Sequence, residues 1–286
     1  MLRPMGAVMK GTTLRSKTRA FVIMAAVIPV LALPAAAAAS TLFGSGSSAE
    51  QPILNVLFRG YNRQHHKIRF NFLPDGGNTG VKDVQAGRRL FAVNTRPPLP
   101  SDSRTTQFKL FLDGLCVAVN PSNSLSNLPI PQAKDIFTGV DTNWGQVGGS
   151  NLTTTIDPVG RNSSAGSYTF FQSAVLGGAT QSSNVHPVTS DGLVATAVAS
   201  DKNAIGYVGL AHSGKSSGVR TVKLNGVGCN AHNIKNESYP LFRFIWGVVP
   251  STHASVQVEK FFDWVRTSKQ AGQIISRAGA VPAFNK

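Results

Sequence analysis

Two runs of nearly uninterrupted apolar residues constrain the fold of this chain more than any other feature: residues 110–120, L-F-L-D-G-L-C-V-A-V-N, and residues 239–249, Y-P-L-F-R-F-I-W-G-V-V. Their β-branched and aromatic content reads as strand, and strands this apolar are buried. Around them helical and strand-like patterns alternate. Helical spacing appears at Ile53, Leu54, Leu57 and Phe58, at Val81 and Val84, and over 131–139, 167–176, 193–199, 256–266 and 270–278, the last stopped by Gly279. Shorter strands are expected over 67–72, 204–210 and 219–224. Strands alternating with helices argue an α/β fold.

Three small-residue loops each end at one of these helix starts: F-G-S-G-S-S-A-E at 43–50, D-G-G-N-T-G at 75–80, and P-V-G-R-N-S-S-A-G-S-Y-T-F-F at 158–171. Small residues let backbone N–H groups approach a ligand, the first N–H groups of a helix lack intrahelical partners, and the helix dipole adds partial positive charge there. Ser48 and Gln51 have capping-box spacing, with Pro52 tolerated in the first turn. Arg161 would supply full charge and a planar fork of donors suited to a tetrahedral oxyanion. The ordinary alternative at each loop is a capped surface helix. Three such loops that converge make an anion cradle.

Charge agrees with an anionic partner. The chain carries 28 basic and 13 acidic residues; Arg3, Lys10, Arg15, Lys17 and Arg19 lie in the first forty positions without an acid, which leaves 23 against 13, or +10. The basic residues are scattered and form no run interleaved with aromatics, so nucleic acid is set aside. Those first five precede the apolar run 21–33 and the small residues 35–41, the order of a signal peptide over residues 1–39. No cysteine stands near that cleavage site, so the expected product is exported without a lipid anchor. Cys116 and Cys229 are the two cysteines; an exported pair is more often bridged than free, two buried thiols being the alternative.

Some motifs are set aside. Residues 209–216, G-L-A-H-S-G-K-S, spell a phosphate loop and G-K-S-S-G at 214–218 a nucleophile elbow, but both require a following helix, and S-G-V-R-T-V-K-L follows instead. His65 and His66 have no Cys, Asp or Glu at metal-ligand spacing and read as a solvated turn.

In this order, the stretches resemble the periplasmic phosphate-binding proteins of phosphate ABC transporters over essentially the whole mature region. The resemblance is carried by G-S-G-S-S at 44–48, G-G-N-T-G-V at 76–81, F-A-V-N-T-R-P-P-L at 91–99, D-I-F-T-G at 135–139 with N-W at 143–144, A-I-G-Y-V at 204–208 and N-E-S-Y-P-L at 236–241. It implies a two-lobe, type II periplasmic-binding-protein-like fold with mixed sheets flanked by helices and two hinge strands. Residues 40–113 plus 238–286 would form lobe 1, and 114–237 lobe 2. The implied anion-binding set is Ser47, Ser48, Ala49, Asn78, Thr79, Thr95, Arg161, Ala165, Gly166 and Ser167; Cys116 and Cys229 would pair near the hinge. The implied ligand is phosphate or a similar oxyanion and the implied partner a membrane permease, for a monomer with no cofactor and no catalysis.

The sequence departs from that pattern in places. Gly77 stands where the family has a serine, Ala165 replaces another, and Thr95 occupies the position of the aspartate that accepts a proton from hydrogen phosphate. A threonine hydroxyl accepts that bond without repelling sulfate. Two other functions stay open: a secreted phosphate-ester hydrolase using a cradle serine, disfavoured because none of His65, His66, His186, His212, His232 or His253 lies within the three loops, and a transporter-independent anion- or wall-binding protein.

Overall fold

The computed structural model describes residues 39–284 together with Gly11, so the expected signal peptide falls almost wholly outside the described residues. Strand β1 (Ser40–Gly46) runs into the first loop and then α1 (Gln51–Asn62), which buries Ile53, Leu54, Leu57 and Phe58 on one face. Next come β2 (Ile68–Leu73), α2 (Gly77–Gln85) and β3 (Phe91–Asn94), with β1 parallel to both β2 and β3.

The first apolar run becomes β4 (Thr105–Val119), 15 residues long. Then follow β5 (Asn127–Leu128), α3 (Ile130–Thr138), β6 (Asp157–Arg161), α4 (Gly166–Ala174), β7 (His186–Val188), α5 (Asp191–Ser200), β8 (Ala204–Gly209), β9 (Arg220–Thr221), β10 (Lys223–Leu224) and α6 (Ala231–Lys235). The second apolar run becomes β11 (Phe242–Pro250), and α7 (Val256–Thr267) and α8 (Lys269–Arg277) close the chain. Gly139, at φ 82°, ends α3 in the left-handed conformation that favours glycine.

The main sheet runs β2-β1-β3-β11-β4-β8-β6-β7, with β9 also on β4. The two apolar runs lie at its centre, antiparallel to each other. β4 changes partner midway: Thr105–Gly114 pairs with β11 and Leu115–Val119 with β8. At the switch the packing is tight: a Cβ on Gly114 would stand 2.6 Å from Ile234 Cδ1 and 3.0 Å from Cys229 Sγ, so a larger residue there would have to displace both side chains. The sulfurs of Cys116 and Cys229 are bonded there, with Cα atoms 5.6 Å apart.

Two large apolar cores flank this switch. One packs α1, α7 and α8 on the sheet through Leu54, Phe58, Phe91, Phe111, Phe261 and Phe262, with Phe58 stacked on Phe70 at 4.3 Å. The other gathers Leu115, Phe137, Trp144, Phe171, Tyr207 and Tyr239, with Phe171 stacked on Tyr207 at 4.1 Å. Burying each such side chain contributes about 1.5–3 kcal/mol, so each core orders the elements around it.

Local expectations differ from the structure in three places. The stretch expected as a loop ahead of Arg161 is strand β6, because Pro158 and Val159 are buried where β6 runs parallel to β7 and β8. The single strand expected over 219–224 splits at buried Val222: β9 joins β4, and β10 joins β5. The capping box at Ser48 is absent; Glu50 is the N-cap of α1 without a side-chain capping bond. After Gly209 the chain forms short 3-10 turns over 210–212 and 215–217, the helix-free context on which a phosphate loop was set aside.

Candidate anion cradle

Backbone geometry brings the three loops together. Gly46, at φ 134°, lies so close to β3 that a Cβ would sit 2.2 Å from Val93 O, and Ser47 N–H donates to that same carbonyl at 2.8 Å. Gly76 N–H donates to Gly46 O at 2.8 Å, which ties the second loop to the first. From the other side, α4 begins at Gly166, whose Cβ would fall 2.1 Å from Asn94 Oδ1 and 2.7 Å from Thr95 Oγ1. Gly77, at the start of α2, meets the same Asn94 oxygen at 2.2 Å. The N-termini of α2 and α4 therefore face one point at the end of β3, and glycine at each start permits the approach.

Asn78 clasps the second loop to the third. Its Nδ2 donates toward Ser163 O at 3.0 Å, Ala165 O at 3.1 Å and Thr169 Oγ1 at 2.8 Å, and its backbone N–H donates to Ser164 O. Its Oδ1 accepts from Arg96 Nε at 2.7 Å, and Arg96 in turn grips Asp102 through both terminal nitrogens at 2.6 and 2.8 Å.

The charges of the site lie in two buried arginine–aspartate pairs. Arg161, at the end of β6, bonds Asp191 Oδ1 through Nη1, while its Nη2 donates to Ser48 Oγ at 3.0 Å and Thr189 O at 2.9 Å. Burial pulls its guanidinium down to about 10, still protonated at neutral pH. Arg243, on β11, bonds Asp113 Oδ2 through Nε at 3.0 Å and Nη2 at 2.7 Å, and its Nη1 donates to Ser167 Oγ at 2.9 Å. Ser167 Oγ lies 3.4 Å from Thr95 Oγ1. The backbone turn after β8 links the pairs: Gly209 N–H donates to Asp191 Oδ2 at 2.8 Å and Leu210 N–H to Asp113 Oδ1 at 3.0 Å.

Two buried polar atoms here have no hydrogen-bond partner among the described residues: Asn94 Nδ2 and Glu50 Oε2. Asn94 Oδ1 accepts from Thr95 N at 2.8 Å, which leaves the amide donor free. Glu50 Oε1 lies 4.0 Å from Arg243 Nη2. Burial, reinforced by the neighbouring Asp113 charge, pushes the Glu50 carboxyl well above the usual carboxylate range.

Of the residues expected from sequence, Ser48, Thr95, Arg161, Gly166 and Ser167 come together, with Ser47 and Ala49 buried in the first loop and Ala165 capping α4. Asn78 directs its side-chain donors to protein acceptors instead of into the cradle, and half-buried Thr79 makes no side-chain hydrogen bond among the described residues. Sequence reasoning missed Asp113, Arg243, Asp191, Glu50 and Asn94. Asp113 and Arg243 did leave a signal, because each is a lone charge inside an apolar strand run, and such a charge is buried only with a partner. His212, from outside the loops in sequence, places Nε2 3.1 Å from Ala49 O, and burial lowers its pKa. The hydroxyls of Ser48 and Ser167 are held by arginines, and neither bonds a histidine among the described residues.

The PBP superfamily domain, as a family sequence model, matches residues 33–269. The chain is 27% identical over 260 residues to the phosphate-binding protein PstS of Staphylococcus epidermidis, covering 85% of this chain and 79% of that protein. It superposes with TM-score 0.79 on a structure from Clostridium perfringens described as a phosphate ABC transporter substrate-binding protein with bound phosphate, at 22% identity over 85% of this chain and 99% of that one. An ABC-type phosphate transport receptor from Vibrio cholerae matches with TM-score 0.70 and 27% identity, over 84% of this chain and 99% of that one. The mixed α/β, two-lobe fold is common to these proteins.

Proposed function

The chain belongs to the PBP superfamily, and on that premise we propose that it is an exported solute-binding protein that captures phosphate or a similar tetrahedral oxyanion between two lobes for uptake by an ABC permease. Lobe 1 is residues 40–113 plus 238–286 and lobe 2 is residues 114–237, with the crossing strands β4 and β11 as the hinge. The observation that carries this reading is the convergence of the α2 and α4 N-termini with the Ser48, Thr95 and Ser167 hydroxyls and two arginines. The similarity to phosphate-binding relatives over more than four-fifths of the chain supports it.

Each arginine already has a carboxylate partner, so the anion is held chiefly by helix N-termini, hydroxyls and N–H groups. Arg161 positions Ser48 and balances Asp191. Closure on the ligand presents a surface to the permease, and no bond is made or broken. The protein acts as a monomer outside the cytoplasm after loss of residues 1–39.

Isothermal titration of the mature protein with phosphate, arsenate and sulfate tests the reading. Phosphate binding with one site per chain is expected, and Arg161→Ala, which leaves Asp191 buried without its counter-charge, removes measurable binding. Absence of binding to all three anions, or turnover of a phosphate monoester, overturns the proposal.

A further inference from the structure

Basic residues that are scattered in sequence are collected by the fold on one outer face. Between α6 and α8 lies a groove of about 550 Å³ lined by His232 and Lys235 from α6 and by Lys269 and Arg277 from α8. At the C-terminal end of α1, the end remote from Ser48, a second hollow of about 430 Å³ is lined by Arg59, Arg63, His66 and Arg69. A seam joins the two. Gln64 Nε2 donates to Gln270 Oε1, with Arg63 and Lys269 as their chain neighbours, and α1 lies so close to α8 that a Cβ on Gly60 would stand 2.5 Å from Ile274 Cδ1. Arg59, Arg63, Arg69, Lys235, Lys269 and Arg277 form no ion pair among the described residues, whereas the buried Arg96, Arg161 and Arg243 each have a carboxylate. No Asp or Glu lines either hollow; Glu237, two positions beyond Lys235, is the acid nearest to that cluster in sequence.

The lining says which polyanion such a track takes. Unpaired cations along a concave surface attract a linear chain of negative charges, because each neutralised charge releases a counterion. Neither hollow is lined by Phe, Tyr or Trp, so nothing there stacks a nucleic-acid base. None of the exposed large apolar side chains lines them either, so the face lacks the anchors that a bilayer surface engages. We propose that this track, from the α1 hollow across the α1–α8 seam into the α6–α8 groove, binds inorganic polyphosphate, a linear polyanion that carries neither bases nor acyl chains. The arginines present planar forks and the lysines point charges to successive phosphoryl oxygens. The site is distinct from the cradle, which encloses one small anion among buried groups, and it does not depend on what the cradle holds.

Calorimetric titration of the protein with long-chain inorganic polyphosphate over a range of salt concentrations tests the assignment. With a slope of about −0.7 in log affinity against log salt for each charge neutralised on a single phosphate strand, six cations predict a loss on the order of a hundredfold between about 50 and about 200 mM salt. Lys235→Glu combined with Lys269→Glu and Arg277→Glu should weaken binding by at least about tenfold and flatten that slope. Lys134→Glu combined with Lys202→Glu and Lys223→Glu places three like reversals on exposed lysines elsewhere and should leave affinity within about threefold. Equal losses in the two triple variants would mean attraction to net charge alone and would overturn the assignment. Tighter binding of a single-stranded oligonucleotide or of phosphatidylglycerol vesicles than of polyphosphate would overturn it too, as would displacement of the polymer by inorganic phosphate at matched ionic strength, which would put the chain in the cradle. If circular dichroism shows the first triple variant unfolded, glutamine at the same three positions decides: binding weaker by about threefold or more supports the track, and unchanged binding refutes it.

Discussion

Replacing Arg243 by methionine tests whether the centre of the molecule is held by a charge pair or only by packing. Arg243 and Asp113 are 2% and 1% exposed, and the substitution removes two bonds to Asp113 Oδ2 and one to Ser167 Oγ while methionine keeps most of the volume. Asp113 would retain the Leu210 N–H, and Glu50 would lose the nearby Arg243 charge. Breaking a buried pair by removing one partner costs about 3–5 kcal/mol, a large share of the roughly 5–15 kcal/mol that holds a native domain together. For a chain of this size that corresponds to a melting temperature lower by about 6–20 °C. Adding Asp113→Leu removes the stranded carboxylate, and the double variant should recover most of the loss, since apolar replacement of a whole buried pair is close to neutral. Urea unfolding followed by tryptophan fluorescence suits the measurement because Trp144 is fully buried. A single variant destabilised by less than about 1 kcal/mol, or a double variant no more stable than the single one, would refute the argument that this pair is an electrostatic unit.

Three other outcomes follow from named contacts. Asn78→Ala deletes the three donor contacts to the third loop and the acceptor for Arg96, so backbone amides over 162–169 should exchange faster and phosphate should bind roughly tenfold more weakly; unchanged exchange would count against the clasp. Joint replacement of Cys116 and Cys229 by alanine opens a link across 113 positions and should destabilise the exported protein by up to about 4–5 kcal/mol, read as a lower denaturation midpoint, whereas equal midpoints would make the link idle. Because burial raises the Glu50 carboxyl above its ordinary value of 4.5, its stabilising contribution is complete below that pH and is lost as pH rises through the folded-state value. Glu50→Gln should therefore gain on wild type in urea midpoint as pH rises above 4.5, and parallel pH curves would show that the carboxyl is not held protonated. His212, lowered by burial, adds stability as pH rises toward 6.5 in both proteins and cancels from the comparison.

What the sequence determined by itself is what neighbouring residues dictate to one another. The apolar continuity of residues 110–120 and 239–249 announced buried strands, and they are β4 and β11 at the middle of the sheet. The helical spacing of Leu54, Leu57 and Phe58, the glycine that stops α3, and the small residues before α2 and α4 carry their own local reasons. The tertiary structure decided the partners. Ser48 looked like a helix cap, yet its hydroxyl accepts from Arg161, 113 positions away, and α1 starts two residues later at the Glu50 N-cap without a side-chain capping bond. Residues 158–161 read as the start of a loop and became part of a strand because β7 and β8 offered parallel edges. Arg243 and Asp113, 130 positions apart, meet because antiparallel pairing of β11 with β4 sets them opposite each other. A local pattern fixes the conformation of a segment, but a buried polar atom must find its complement wherever the fold delivers one, and no periodicity in the chain encodes that distance.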